Sequence, residues 1–465
     1  MTPDIHKSGL LTKPSAVTRW SLILTSCLLL AIWPLPGTIA LRHFLLIAAA
    51  ISSLHLLTSY RSDPQPKILA PLLPLIAFFA WILIHFLFFS SNREAQLDEL
   101  TGLWFRSLLS AIAGSGFGLM ALRSMRGDFS RKAFEIALLL GLSGTLIIYL
   151  LRYGYEIAVT GGLLHENFFM TPFKGKPQIV VFVTIFIAAL YAFVASEMSR
   201  ATSRWWIVIS GVSLSLFVFY TANTKNGFLI FLILTGLFLV SILIKGRVKK
   251  SNLIWISMII IPIVFFAHKH ISSEPAWRNM IADVKVGLDI DSQTYWKNWK
   301  DEPLPVNELG SPVNQSTYLR TAWATAAVKL IHETPLGYGL MSYSFTFLAQ
   351  QKWPDFDTKA GLFNVATHSG WIDLTLALGL PATALILFSL GKSFLLSRGK
   401  KDFLNAFAFW GIISLVPMYM TVEVSFDVFF ELLLFGAAFF SIITANTDTP
   451  SISPRKPGMP CEQAI

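Results

Sequence analysis

The sequence predicts an all-α polytopic membrane protein of about twelve transmembrane helices, with a large, partly helical loop on one face. Three observations predict it. Of 465 residues, 54% are hydrophobic and only 14% charged, where soluble domains carry about 25% charge. Apolar windows long enough to cross a bilayer recur along most of the chain. One long polar stretch, 271–365, interrupts them and is too polar to sit in lipid.

Taken in order, the windows fall at about 20–36, 38–58, 68–90, 102–122, 133–151, 178–196, 204–222, 225–244, 252–270, 368–396, 402–420 and 427–444. Placing residues 1–19 in the cytoplasm puts the basic clusters inside: Arg61 and Lys67; Arg123, Arg126, Arg131 and Lys132; Arg200 and Arg204; Lys245 to Lys250; Lys392 to Lys401. Short outer loops are poor in base, and NREAQLDEL is net acidic. That alternation is the positive-inside pattern. It accounts for the net charge of +10 without nucleic acid as a partner. The expected units are a cytoplasmic N-terminus 1–19, helices one to nine in 20–270, an outer-face loop 271–365, helices ten to twelve in 366–444 and a cytoplasmic tail 445–465. Residues 1–19 read as the flank of a first span rather than as a cleaved signal peptide. Cys27 and Cys461 provide neither a disulfide framework nor a cysteine metal site.

Within the long loop, Leu319, Trp323, Ala326 and Leu330 recur at helical spacing over 315–333. A helix with that stripe is expected to lie in the membrane interface. Thr334 and Pro335 end it, and Gly337 and Gly339 follow in a tight turn. GSGFG (114–118) lies inside a span, where small residues serve helix packing. The chain contains no HExxH, GxSxG or Walker motif.

Three residues stand out for chemistry on the loop side. Lys225 opens a helix after TANT (221–224), and helix N-termini suit phosphate; alone it also fits a lysine snorkelling to the interface. Arg320 sits on the loop helix, and its planar fork can grip a diphosphate. His368 follows Thr367, the expected N-cap, at the mouth of an apolar helix whose positive end favours a neutral, proton-accepting ring. Asp289 and Asp291 form an Asp-x-Asp pair that could hold a divalent ion. Arg152, Lys174, Lys176 and Glu423 are further charged residues on the same side whose roles the sequence leaves open.

The block THSGWIDLTLALGLPATALIL (367–387) and the upstream LRTAWATAAVKLIHETPLGYGLMSYSF (319–345) resemble the O-antigen ligase and polymerase superfamily of bacterial inner-membrane glycosyltransferases. The resemblance implies a histidine base at His368 and cations gripping a lipid diphosphate at Arg320 and Lys225. The family usually has arginine where this chain has Lys225. It further implies an undecaprenyl-diphosphate-linked glycan donor, a lipid A–core acceptor and an inner-membrane location with a periplasmic site. Clear cations and only a weak acidic metal motif make metal-free catalysis, with no cofactor, the simpler expectation. Ligase is the leading expectation. The alternatives are polymerase, a related O-oligosaccharyltransferase or, from a different class, a transporter or flippase, for which deep charges and repeat symmetry would speak.

Overall fold

The computed structural model describes residues 15–60, 70–125, 130–161, 173, 175–197, 205–244, 250–273, 276–299, 302–342, 344–356, 366–422 and 427–445. Every named element among them is helical; besides a 3-10 turn at Ala70–Leu72 and a π turn at Leu100–Trp104, all are α-helices. In chain order these are α1 (Ala16–Ile32), α2 (Ile39–Tyr60), α3 (Leu73–Phe88), α4 (Arg93–Glu99), α5 (Phe105–Met125), α6 (Arg131–Thr160), α7 (Lys176–Glu197), α8 (Trp205–Thr221), α9 (Lys225–Ile244), α10 (Lys250–Ser273), α11 (Ala276–Leu288), α12 (Gln315–Glu333), α13 (Ser344–Lys352), α14 (Gly370–Ser397), α15 (Phe403–Tyr419) and α16 (Asp427–Ala445). In lipid a backbone must satisfy its own polar groups, so apolar windows of this length become helices. Eight described helices are long and apolar enough to cross a membrane, and four shorter apolar ones fall at the remaining expected spans.

The bundle is closed by small residues. A Cβ on Gly114 would lie 2.2 Å from the Phe435 carbonyl oxygen, and one on Gly116 would lie 2.2 Å from Ser53 Oγ. The GSGFG run therefore lets α5 pack closely against the main chain of α16 and against Ser53 of α2. Two acids within spans, Glu431 and Glu135, are paired with arginines. Arg106 Nε meets Glu431 Oε1 at 2.9 Å, and Arg131 Nε meets Glu135 Oε1 at 2.7 Å. Trp33 Nε1–H also donates to Glu431, at 3.2 Å.

The segment after α10 builds a second, smaller core. Tyr318, Leu319, Trp323, Ala326 and Leu330 of α12 are buried there with Tyr295, Trp296, Phe345, Leu348 and Phe356. This corrects the expectation of an interfacial helix: the stripe of α12 is covered by the loop's own aromatics, not by lipid. Trp296 and Trp323 satisfy their indole N–H groups internally, donating to Ile290 O and Trp296 O at 3.1 Å each. A buried indole needs such a partner.

This loop unit is seated on the bundle by main-chain bonds at a break in α14. The sequence reads there as one regular helix, but Gly379 adopts φ 78°, ψ 176°, a region open essentially to glycine alone. Pro381 follows; it brings no N–H and crowds the carbonyl four residues back. The freed groups are taken up by the turn after α12. Tyr338 N–H donates to Leu376 O at 2.7 Å and Gly339 N–H to Ala377 O at 2.6 Å. Leu380 N–H donates to Pro335 O at 2.9 Å, and Trp81 Nε1–H on α3 donates to Leu378 O at 2.7 Å. A Cβ on Gly337 would stand 2.4 Å from Gly379 N, so only glycine allows the two chains to approach this closely. A second tie comes from Glu99, whose carboxylate accepts from Met341 N–H and Ser342 N–H, both at 2.8 Å.

Candidate active site

The first half of α14 runs across the loop-side ends of the bundle. Trp371 Nε1–H donates to Val416 O near the end of α15 at 2.9 Å, while Leu378 reaches Trp81 on α3. Immediately before this half-helix, His368 borders a cleft of about 430 Å³ between loop unit and bundle. Arg320, Thr321 and Thr325 of α12 form one wall; Asn226 of α9, Ser369 and Thr421 complete the polar lining. Leu288, Val328 and Met420 supply an apolar side, and all three are exposed. The cleft thus offers a cation, a histidine and hydroxyls beside an apolar surface, a combination suited to a headgroup with a long hydrocarbon tail.

His368 has φ +56°, a left-handed conformation uncommon outside glycine. The N-cap position is Ser369, whose side chain makes no capping bond; this corrects the assignment of Thr367. Thr367 is held instead by Asp373 in the first turn. Its N–H and its hydroxyl donate to Asp373 Oδ1 at 3.0 and 2.7 Å, and its Oγ1 accepts from Ser369 N–H at 3.3 Å. Thr367 and Asp373 are 1% and 2% exposed, so the clasp works in a dry environment where it is strong. The imidazole also stacks on Trp323, ring centroids 5.8 Å apart and planes 22° from parallel. Asp373 and Trp323 therefore fix the turn and the ring of one residue from two elements.

The start of α9 has a related geometry. Asn223 takes φ +48°, and its carbonyl accepts from Lys176 Nζ at 3.0 Å. Lys225 is the first residue of α9 and is half-buried. Lys225 itself is not among the residues lining the cleft; its neighbour Asn226 is, donating through Nδ2 to Thr421 O at 3.3 Å. The structure brings Arg320 and His368 to one cleft and puts Lys225 one residue from its wall.

The Asp-x-Asp pair serves the loop instead. Asp291 pairs with Lys329 at 2.7 Å, and Asp289 Oδ1 accepts from Ser292 N–H at 3.4 Å. Among the described residues no group of three His, Cys, Asp or Glu side chains is placed to hold a metal ion. Arg152 pairs with Glu156 on its own helix. Lys174 and Glu423 lie outside the described residues. Burial pushes the Tyr318 phenol up to about 12 and raises Tyr295 and Tyr338 as well, so these loop tyrosines stay protonated at neutral pH. Sequence reasoning missed Asp373 and Lys176 as positioning groups. The first carried a signal: a carboxylate inside an apolar span is expensive and needs a reason.

Residues 210–387 match the family described as O-antigen ligase. The match runs from α8 into α14 and so includes Lys225, Arg320 and His368. No curated protein matches the chain.

Proposed function

We propose that this chain, which carries an O-antigen ligase family domain at residues 210–387, is an O-antigen ligase of the bacterial inner membrane. It would move O-polysaccharide from undecaprenyl diphosphate to lipid A–core at the periplasmic face. The observation that carries this reading is the cleft uniting His368 and Arg320 beside an exposed apolar wall.

In the proposed reaction Arg320 and Lys225 hold the donor diphosphate. Departure of that group develops negative charge, which fixed cations stabilise. The apolar side of the cleft receives the first prenyl units. His368 takes the proton from an acceptor hydroxyl while that oxygen attacks the anomeric carbon. The new glycosidic C–O bond forms as the bond from anomeric carbon to phosphate oxygen breaks. Undecaprenyl diphosphate leaves with the electron pair, and a single in-line displacement inverts the anomeric centre. Asp373 and Trp323 keep the imidazole in place, because a misplaced base loses most of its advantage. No metal is needed in this scheme.

Deleting the gene and resolving the lipopolysaccharide on a gel tests the reading. A ligase predicts bare core, with polymer left on the lipid carrier. Core carrying single repeats would instead establish a polymerase, and an unchanged ladder would remove both. The pairing of Arg106 with Glu431 within the bundle speaks against a transporter, in which deep charges line a route.

A further inference from the structure

A second cleft opens at the far end of the bundle, on the membrane face opposite the candidate active site. It has a volume of about 480 Å³ and lies between the last turns of α9, the end of α14 and the start of α15. Its floor is apolar: Phe238 and Trp410 are 2% and 4% exposed and meet edge to face, centroids 5.4 Å apart. One flank is formed by Leu237, Val240 and Ile244, which are 47%, 51% and 79% exposed. Side chains of this kind at a helix surface face acyl chains, so the cleft is open sideways to the bilayer. Its mouth is basic. Arg398, Lys400 and Lys401 all line it, brought round by Gly399 at φ +82°. Asp402, the acid that follows them in sequence, caps α15, accepting from Asn405 N–H at 3.0 Å and Asn405 Nδ2 at 2.8 Å.

Topogenic charge explains basic residues in this connection. It does not explain a dry aromatic floor beneath them with a side door to lipid. We propose that this cleft is a binding site for one anionic glycerophospholipid of the leaflet opposite the candidate active site. The phosphodiester would sit among Arg398, Lys400 and Lys401, with an acyl chain laid over Phe238 and Trp410. Arginine grips two phosphate oxygens at once and lysine adds point charge. The lipid would pin the ends of α9 and α14, the two helices whose other ends carry Lys225 and His368.

Native mass spectrometry of the purified full chain, with added phosphatidylglycerol or phosphatidylcholine of identical acyl chains, tests the site. The wild type should retain the anionic lipid at least tenfold better. Each cation near a membrane surface contributes about fivefold, so the triple variant R398Q/K400Q/K401Q should lose about a hundredfold. Should the triple variant fail to fold, Lys401→Gln alone, expected to lose about fivefold, decides. Ala406→Trp leaves the charges in place and fills the floor; it should also abolish retention. Equal retention of the two lipids, undiminished binding after charge removal, or undiminished binding by Ala406→Trp would each overturn the proposal. Displacement of phosphatidylglycerol by millimolar inorganic phosphate would reveal an anion site and overturn it as well.

Discussion

Two helices reach the candidate active site in the same way, and their difference is instructive. Both α9 and α14 are preceded, two residues before the first helical one, by a left-handed non-glycine residue: Asn223 at φ +48° and His368 at φ +56°. At α9 the strained residue and the residue of interest are separate. Asparagine, which tolerates this region well, makes the turn, and Lys225 begins a continuous helix. At α14 they coincide. The histidine occupies the strained position, its turn is clasped by Asp373, and its ring is braced by Trp323. Histidine, like asparagine, is one of the few non-glycine types enriched in this region; what sets position 368 apart is the clasp and the ring contact. Placing an imidazole in such a position costs of order 1–3 kcal/mol, which the surrounding contacts offset.

The contrast breaks most readily at His368. His368→Ala should lower transfer about 10²–10⁴-fold while the protein still inserts, and His368→Gln should do no better, because an amide cannot accept the proton. Near-normal transfer by the glutamine variant sinks the base assignment. His368→Gly should lose activity equally yet hold or raise thermal stability, by up to about 1 kcal/mol, since glycine relieves the left-handed strain. Asn223→Gly should leave both nearly unchanged. A His368→Gly variant that is markedly less stable would mean the ring is a structural pin.

Next in size are the cations. Arg320→Ala should reduce transfer about 10–100-fold, the worth of a charge-assisted phosphate contact. Lys225→Ala should cost less, because Asn226 rather than Lys225 lines the cleft. Lys225→Arg should be tolerated; its inactivity with normal expression would rule out diphosphate gripping. Asp373→Asn weakens the clasp on Thr367 and should lower kcat about tenfold with little change in donor KM. An effect on KM alone would place Asp373 outside the positioning of His368. Smallest is the effect of chelator on purified enzyme, expected to be none; activity lost and restored by Mg²⁺ would return Asp289 and Asp291 to the mechanism.

The bundle was legible because lipid leaves the backbone few options, so composition, window length and basic clusters carried the span plan. His368 ahead of α14 and Arg320 on α12 could be singled out from the sequence by residue type and position, and the structure puts both on one cleft. What the sequence hid is long-range. Nothing local shows that Trp323, on the apolar stripe of α12, faces the imidazole of His368, or that Lys176 reaches the carbonyl of Asn223. The stripe of α12 was correctly apolar, but periodicity does not say whether lipid or protein covers it. The Gly-Leu-Pro of α14 did signal a break, since glycine and proline both disfavour a continuous helix; the regular apolar pattern around it concealed the signal.

The docking of the turn after α12 into that break also has a consequence for biogenesis. Carbonyls left open in hydrocarbon cost several kcal/mol each, so α14 cannot settle in the bilayer as a lone segment. The stretch of main chain that completes it, residues 335–339, precedes α14 in the sequence and is synthesised before it. The turn at residues 335–339 is therefore the template that completes the broken helix. Gly337→Ala should consequently appear as loss of inserted protein in membrane fractions, with the specific activity of surviving molecules close to normal. A polar loop segment thus serves as the mould for a break in an apolar helix.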